Sequence, residues 1–402
     1  MYGPRGAQVS ATVRELAARD WAPTVVCLEP RRGGPHWPDG LPAPATERVS
    51  LIRVPAIEES LVWRVAARIA PVVRQWPDDK RLWSRRAEAA ARHALARAPF
   101  AGVVTFAQPW SDHLVGLHLR RTERLPWVAH FSDPWVDSPF QMGRALQRRV
   151  WRRMERDVIE AADAVVFVTA EAADLVMRKY PDAWRSKVAV VPHGYDPRAL
   201  LRPADPNRRP GPLRVVYTGR FYRGVRTPSA LFQALAALHR DQSLAGVIEF
   251  VFIGPHVQEF QSDLAALGLE ALVRLEGRRP KRDADLAAAD ADVLLVVDAP
   301  SDGPSAFLPS KLVDYLAFRK PMLGLTPAGG ASARLLARLG CPSVQPDDVG
   351  AIKAAVAELL RRWRNGAFHV GESFDAVASE FDIRRTTAQL DEVLVRAFTH
   401  AA

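Results

Sequence analysis

Two runs of short apolar segments that alternate with amphipathic helices constrain the fold of this 402-residue chain more than any other feature. The first run has its apolar segments at residues 24–28, 49–54, 102–106, 127–131, 162–169 and 188–192, and the second at residues 213–218, 248–254, 272–277, 292–297 and 321–326. Strands that alternate with helices pair in parallel, because a parallel neighbour needs a crossover connection. The pattern predicts an α/β protein with two Rossmann-like parallel-sheet domains.

A proline-rich stretch divides the two runs. Residues 203–212 contain four prolines and little apolar content, which is typical of a linker. A chain of this length is also too long for one ordinary hydrophobic core. We therefore expect a first domain over residues 1–200, a linker over 201–212, a second domain over 213–380 and a terminal helix over 381–402.

Composition limits the class of protein. The formal net charge is +10 and the pI is about 10, which favours acidic partners such as phosphates, anionic lipids or nucleic acid. Cys27 and Cys341 are far apart and have no metal-like spacing, so we expect neither a disulfide nor a metal site. No apolar run approaches the length of a membrane span, and charges interrupt the first thirty residues, so a cytoplasmic protein is predicted.

Residues 305–326 are the most informative segment for function. They predict a loop, a helix over 310–318 and a buried strand over 321–326. Lys311 and Asp314 stand three apart, so both project from one face of the first helical turn, where backbone N–H groups favour an anion. Only 7 of the 55 basic residues are lysines. A lysine at position 311, in a chain that otherwise uses arginine, indicates that the compact ammonium charge suits this position better than a planar guanidinium. A surface Lys–Asp pair is the structural alternative.

A second candidate anion site follows the first strand of the second run. Residues 219–226 form a glycine-bearing loop with three arginines between a strand and a helix. Such a loop places backbone N–H groups and guanidinium groups where a phosphate binds. Thr227 as the N-cap and Pro228 at the first helical position are expected to begin the helix.

The segment Pro-Ser-Lys-Leu-Val-Asp-Tyr-Leu-Ala-Phe-Arg-Lys-Pro-Met-Leu resembles the donor-site segment of GT-B glycosyltransferases of family 4. The resemblance implies two domains that face each other across a cleft, with the last helix crossing back to the first domain. It also implies a retaining, metal-independent hexosyltransferase that uses a nucleotide diphosphate sugar and no cofactor. The donor would bind the second domain, and the acceptor, a sugar, a lipid-linked sugar or a small molecule, would bind the first.

The resemblance assigns roles to individual residues. Lys311 and Arg220 would stabilise the departing diphosphate, and His113, at the end of the strand over 102–106, would lie near the sugar. Asp314 would meet the ribose. The remaining donor-binding residues would be Gly219, Arg226, Ser310 and Leu312.

This chain departs from the family pattern at two positions. Ser132 stands in the arginine place of the turn Ser-Asp-Pro-Trp, and Ala306 stands where the family has a glutamate. The second departure bears on recognition of the donor sugar. Three alternatives remain open: Asp302 or Ser305 serves this position, the protein uses another sugar, or the protein is inactive. The family also has an apolar strand before the glycine loop that Gly3 and Gly6 would form. We therefore expect either that the natural protein starts upstream of Met1 or that the first domain is less stable than the second.

Two other functions remain open from the sequence. One is a nucleotide-sugar epimerase or hydrolase on the same scaffold. The other is a basic membrane- or nucleic-acid-binding protein without catalysis, although no recognised nucleic-acid motif is present. The stretch over residues 61–97 interleaves Trp63, Trp76 and Trp83 with arginines, a composition that suits peripheral contact with the inner face of the plasma membrane, or alternatively helices that pack their tryptophans inward.

Overall fold

A computed structural model describes residues 3–29, 48–56, 58, 77–138, 143, 145–199, 211–368 and 370–399. The chain forms two compact units. Unit 1 comprises Met1–Gly194 and Ile383–Ala402, and unit 2 comprises Tyr195–Asp382. The first unit therefore consists of two separate pieces of sequence, and the second unit is one continuous piece between them.

Unit 1 has six strands and six helices of the α class in its described residues. Its strands are β1 (Thr24–Leu28), β2 (Ser50–Val54), β3 (Val103–Phe106), β4 (Trp127–Phe131), β5 (Ala164–Phe167) and β6 (Val188–Val190). Its helices are α1 (Gly3–Ala17), α2 (Arg81–Leu95), α3 (Ser111–Thr122), α4 (Ala145–Ala161), α5 (Ala170–Met177) and, at the end of the chain, α13 (Ile383–Thr399).

The strands of unit 1 form two parallel sheets. One has the order β3-β4-β5-β6, and the other contains β1 and β2. Strands β4 and β5 are buried along their whole length, which explains why β5 is a continuous apolar run and why β4 is apolar apart from His130. The pair β1 and β2 packs with α2 around Val54, Trp83 and Ala87. Among the described strands none bridges the two sheets.

Helix α13 completes the core of unit 1. Leu390 and Leu394 are buried against Leu16 of α1 and Val128 of β4. Beside this cluster the Trp21 indole N–H donates to Asp391 at 2.7 Å. The terminal segment is thus part of the hydrophobic core of unit 1.

Unit 2 has six strands in one parallel sheet, with the order β12-β11-β10-β7-β8-β9. These are β7 (Leu213–Thr218), β8 (Ile248–Ile253), β9 (Val273–Gly277), β10 (Val293–Val297), β11 (Met322–Leu325) and β12 (Ser343–Val344). The helices are α6 (Ser229–Asp241), α7 (Gln261–Ala266), α8 (Lys281–Ala289), α9 (Ser310–Leu316), α10 (Ala331–Arg338), α11 (Val349–Arg364) and α12 (Glu372–Ser379). One apolar cluster buries each face of the sheet, as expected for a doubly wound fold.

The structure corrects three predicted helix starts. Residues 3–6 lie within α1 and form no glycine turn. Pro228 is the N-cap of α6 and makes no side-chain cap, so Thr227 does not cap this helix. The loop after the strand over 102–106 predicts Ser111 as a helix cap, but Ser111 is the first residue of α3 and its Oγ donates to the half-buried carboxylate of Asp78 at 2.6 Å instead of capping the helix.

Several predictions fall outside the described residues. This group contains Trp63, Trp76 and most of the 201–212 linker. Trp83 is described, and it is 6% exposed with its indole N–H donating to Val54 O at 3.1 Å, so this tryptophan packs inward. Of the helices whose residues the structure describes, none combines the length and the apolar character needed to cross a bilayer.

Candidate active site

The candidate site lies at the carboxyl edge of the unit 2 sheet, where parallel strands bring their following loops together. Strands β7, β10 and β11 are consecutive in the sheet, although long stretches of sequence separate them. The loop with Arg220 follows β7, and helix α9 with Lys311 lies between β10 and β11 in the chain. The fold therefore brings the two predicted phosphate-binding segments to one edge of one sheet.

The loop after β7 is a compact turn that presents two arginines. Tyr222 and Arg226 pair through two backbone hydrogen bonds of 2.8 Å, and Gly224 between them has a φ of +75° that favours glycine. The guanidinium carbons of Arg220 and Arg226 lie 5.7 and 5.3 Å from the centre of the Tyr222 ring. An Arg226 N–H also donates to the backbone oxygen of Arg220 at 2.7 Å, so the two arginines are held together.

The third arginine of this loop has a different environment. The Arg223 guanidinium lies 4.8 Å from the centre of the Phe260 ring, and Glu259 and Asp263 each lie within 3.9 Å of it. In contrast, no carboxylate among the described residues pairs with the exposed Arg220 side chain. Arg220 is thus available to an anionic ligand, unlike Arg223.

Gly219 holds this loop close to the neighbouring strand. Its N–H donates to Ile253 O at 2.9 Å, and a Cβ added at Gly254 would lie 1.7 Å from Gly219 O. A Cβ at Gly219 itself would lie 2.6 Å from the Tyr217 hydroxyl. Gly254 is required because the backbones following β7 and β8 touch, whereas a side chain at Gly219 would displace the Tyr217 ring.

Helix α9 presents the second predicted cation. The Lys311 ammonium lies 3.4 Å from Asp314 Oδ2, and about a quarter of each side chain is exposed. Ser310 begins the helix and Leu312 is fully buried beneath it. The two side chains share one face of the helix, as the i, i+3 spacing predicted, and they form the Lys–Asp pair that the sequence analysis gave as the alternative to an anion site. Leu312 anchors the helix and has no exposed surface.

A buried hydrogen bond connects the two cationic segments. The Tyr315 hydroxyl accepts from Thr218 N at 2.7 Å and lies 3.1 Å from Thr218 Oγ1. Tyr315 follows Lys311 by one helical turn, and Thr218 precedes Arg220 by two residues. Burial raises the pKa of Tyr315 to about 12, so the phenol stays protonated and polar at neutral pH.

Two polar side chains that the sequence analysis did not assign to the site lie at the same edge. Asp298 and Thr326 follow the paired residues Val297 of β10 and Leu325 of β11. Asp298 is 4% exposed and Thr326 is 1% exposed, and within the described part of the chain neither Asp298 Oδ2 nor Thr326 Oγ1 has a hydrogen-bond partner. The signal that could have identified them is a polar residue directly after a fully apolar strand.

Burial gives Asp298 an unusual proton affinity. Desolvation raises the pKa of this carboxyl to about 6, although Ser332 and Arg226 act in the opposite direction. A buried carboxyl with an unpaired oxygen at a ligand-binding edge is a candidate hydrogen-bonding group for a substrate.

His113 lies in unit 1 and is completely buried. Thr105 Oγ1 lies 2.8 Å from its Nδ1 and also accepts from the Trp127 indole N–H. The ring contacts Phe131 at 4.4 Å, and Nε2 has no partner among the described residues. Burial and the Arg5 charge lower the pKa of His113 to about 3. The role of His113 near the sugar remains a prediction. In the structure its ring is neutral and has no exposed surface.

Metal ligation was not expected from the sequence. In the ranges that the structure describes, no three or more His, Cys, Asp or Glu side chains are grouped as metal ligands. Residue roles at the site remain predictions.

Sequence comparison relates the first half of the chain to known enzymes. Residues 6–199 match the family model "Glycosyltransferase Family 4". Among curated proteins, no sequence matches the chain significantly.

Structure comparison covers nearly the whole chain. Sucrose-phosphate synthase from Thermosynechococcus elongatus is 16% identical, with a TM-score of 0.70 over 97% of this chain and 92% of that one. Anabaena HepE, solved with UDP-glucose, is 15% identical, with a TM-score of 0.61 over 87% and 86%. WaaG, a glycosyltransferase of lipopolysaccharide biosynthesis, is 15% identical, with a TM-score of 0.59 over 100% and 96%. The chain therefore has the fold of GT-B glycosyltransferases, and its first half is similar in sequence to Glycosyltransferase Family 4.

Proposed function

We propose that this protein is a glycosyltransferase that takes a hexose from a nucleoside diphosphate sugar bound to unit 2. The observation that carries the proposal is the arrangement of three cations at one sheet edge, where Arg220, Arg226 and Lys311 are brought together by the order of β7, β10 and β11. The family match supports glycosyl transfer. The HepE structure with UDP-glucose supports a nucleotide sugar as the donor.

The reaction depends mainly on stabilising the negative charge that develops on the departing diphosphate, and less on proton transfer to the donor. The bond between the anomeric carbon and the diphosphate oxygen breaks, the diphosphate leaves with an additional negative charge, and an acceptor oxygen bonds to the anomeric carbon and loses its proton. Arg220 and Lys311 would stabilise the departing diphosphate, an effect worth several kcal/mol when the cations are already in place. Asp314 would accept a hydrogen bond from the ribose.

Retention at the anomeric carbon and transfer without a metal belong to the same proposal. The leaving group is the nucleoside diphosphate, and two or three fixed cations of the protein would neutralise its charge. These side chains would take the place of a metal ion. The acceptor, a sugar, a lipid-linked sugar or a small molecule, would bind unit 1.

Peripheral contact with an anionic membrane on the cytoplasmic side is a further part of the proposal. The net charge of +10 supports it, whereas the inward packing of Trp83 removes one of the three tryptophans that suggested it. Sedimentation with vesicles tests this point, because binding should require anionic lipid and weaken as salt rises. Equal recovery with neutral and anionic vesicles would contradict it.

The test of the function is incubation of the full chain with a panel of nucleotide sugars, with and without sugar acceptors, in the presence of EDTA. We expect one donor to release its nucleoside diphosphate faster when an acceptor is present, with an α-linked product from an α-linked donor. Release that no acceptor accelerates would indicate a hydrolase, and a changed sugar without release would indicate an epimerase. Sub-micromolar, salt-dependent DNA binding with no nucleotide-sugar binding would contradict enzymatic function altogether.

A further inference from the structure

Unit 1 contains a polar cavity that the proposed donor site does not use. It lies between α1, the ends of β3 and β4, residues 191–194 and α13, and has an empty volume of about 330 Å³ that opens to solvent. Its polar lining includes Arg5, Gln8, His130, His193 and Thr387.

Arg5 sets the protonation of the two histidines. Its guanidinium lies 3.1 Å from His130 Nδ1 and 3.5 Å from His193 Nδ1, and its Nε donates to Ala107 O at 2.8 Å. A guanidinium only donates, so both Nδ1 atoms accept and each neutral ring carries its proton on Nε2. Both rings are buried, and burial together with the Arg5 charge lowers the pKa of each. The histidines are therefore neutral hydrogen-bond donors at physiological pH.

Two further donors at this cavity lack partners. Thr387 is 1% exposed, and its hydroxyl makes no hydrogen bond within the described part of the chain. Gln8 Nε2 is also buried without a partner among those residues. A buried polar atom without a partner costs free energy, so a ligand that accepts from both atoms would recover it.

The charge of the cavity favours an anion. Arg5 is the charged side chain among the described lining residues, and no carboxylate is among them. Asp112 and Asp133 interact with Arg5 but do not line the cavity. A carboxylate ligand offers two oxygens, whereas a phosphate group offers three strong acceptor oxygens to the cation and the neutral donors.

We propose that this cavity binds a phosphate group, with Arg5 as its charge partner and Gln8, His130, His193 and Thr387 as the neutral donors. The site belongs to unit 1 alone and is distinct from the diphosphate site proposed on unit 2. The phosphate comes either from free inorganic phosphate or from a phosphate monoester, and the experiment separates these sources.

The experiment is thermal unfolding and isothermal titration of the full chain with inorganic phosphate, glycerol phosphate and acetate at constant ionic strength. The variants are Arg5→Gln and the double variant Gln8→Leu with Thr387→Val. Arg19→Gln serves as the charge-matched control, because Arg19 follows the same helix and contacts Arg384 and Asp391 instead of the cavity. Lys311→Ala removes a cation of the unit 2 site.

We expect phosphate to raise the unfolding temperature of the wild type, the Arg19→Gln control and the Lys311→Ala variant, and acetate to have a much smaller effect. Phosphate affinity should fall about tenfold or more in Arg5→Gln and in the double variant. The double variant should also fold at least as stably as the wild type without phosphate, since it removes two unpaired polar atoms. Tighter binding of glycerol phosphate than of inorganic phosphate would identify a monoester as the ligand, and the reverse order would identify free phosphate.

No phosphate effect in the wild type would overturn the proposal and leave the cavity to water. Equal phosphate binding in the wild type and in both cavity variants would also overturn it. A loss of binding in Lys311→Ala alone would assign the phosphate to the unit 2 site. UDP titration of the same variants completes the experiment, because retained UDP binding in the cavity variants makes failure of this inference distinguishable from failure of the proposed function.

Discussion

The Thr218 backbone N–H donates to the Tyr315 hydroxyl at 2.7 Å, and this bond joins the strand that leads to Arg220 to the helix that carries Lys311. Tyr315 is 1% exposed, so its hydroxyl has a structural role inside unit 2. The relative position of the two cationic segments therefore depends on a buried side chain that has no exposed surface for contact with a ligand.

The change Tyr315→Phe tests this connection. It leaves a buried N–H without its partner, so we expect the free energy of unfolding to fall by about 1–3 kcal/mol. UDP binding should weaken as well, but less than on loss of either cation. Urea unfolding and isothermal titration measure the two effects, with Tyr222→Phe as the control because the Tyr222 ring is partly exposed. Unchanged stability would show that Thr218 finds another partner.

Loss of Arg220 or Lys311 should weaken UDP binding, whereas loss of the neighbouring Arg223 should not. We expect Arg220→Ala and Lys311→Ala each to weaken UDP binding by roughly 1.5–3 kcal/mol, the usual cost of a lost charge-assisted hydrogen bond, with little change in unfolding temperature. Arg223→Ala is the matched control within the same loop, since Glu259 and Asp263 already neutralise Arg223. Isothermal titration decides the matter. Full affinity in both variants would place the donor elsewhere.

Ionisation of Asp298 should lower the free energy of unfolding of unit 2 as pH rises. Its folded pKa of about 6 is above the value near 3.9 of an unfolded aspartate, so the folded state binds the proton more tightly. The stabilisation is complete below about pH 4 and is lost as pH rises through 6, with a total on the order of 3 kcal/mol.

The change Asp298→Asn removes the titrating carboxyl group. We expect Asp298→Asn to be more stable than the wild type at pH 8 and to differ little from it at pH 4, in denaturant unfolding at both values. If the ionised carboxylate serves the donor, the same variant loses transfer activity although it gains stability. A constant stability difference across this pH range would show that Asp298 does not titrate as its burial predicts.

His113 should have the opposite pH dependence. Its folded pKa of about 3 is below the unfolded value near 6.5, so the stability that its neutral form provides is present above pH 6.5 and is lost as pH falls. Between pH 6 and pH 4 the wild type should lose roughly 1 kcal/mol per pH unit relative to His113→Leu. Denaturant unfolding of both proteins over this interval provides the measurement, and parallel curves would contradict the assignment.

Kinetics then separate packing from catalysis at His113. If the residue acts only through packing, His113→Leu should lower the unfolding temperature and leave kcat unchanged at a temperature where the variant is folded. A fall in kcat of a hundredfold or more with retained UDP affinity would favour the role near the sugar that the family resemblance implies.

The sequence predicted the parts of the fold that depend on repeated local patterns. The apolar runs in unit 2 correspond to β7 through β11, and their alternation with helices produces the expected parallel sheet. The i, i+3 spacing also predicted that Lys311 and Asp314 lie on one face of the helix, where the structure shows them in contact. These features are readable because strand burial and helical periodicity act over a few residues.

Features that depend on distant partners were not predicted. Nothing local to the arginine loop distinguishes Arg223, which meets Glu259 and Asp263, from Arg220, which does not. Ser111 was predicted to be a cap but bonds to Asp78, 33 residues earlier in the chain. The cavity of unit 1 was equally invisible, because Arg5 and Thr387 come from opposite ends of the sequence.

The division of unit 1 into two pieces of sequence has a consequence for folding during synthesis. The ribosome completes all of unit 2 before it makes α13, and unit 2 closes on itself, since Tyr195 N donates to Phe381 O at 2.9 Å where the segment starts and ends. Unit 1 must wait, with Leu16 and Val128 exposed, until Leu390 and Leu394 arrive to cover them. We therefore expect nascent chains that stop at residue 382 to contain a protease-resistant second unit and a first unit that remains bound to chaperones. Chains that include the last helix should release them.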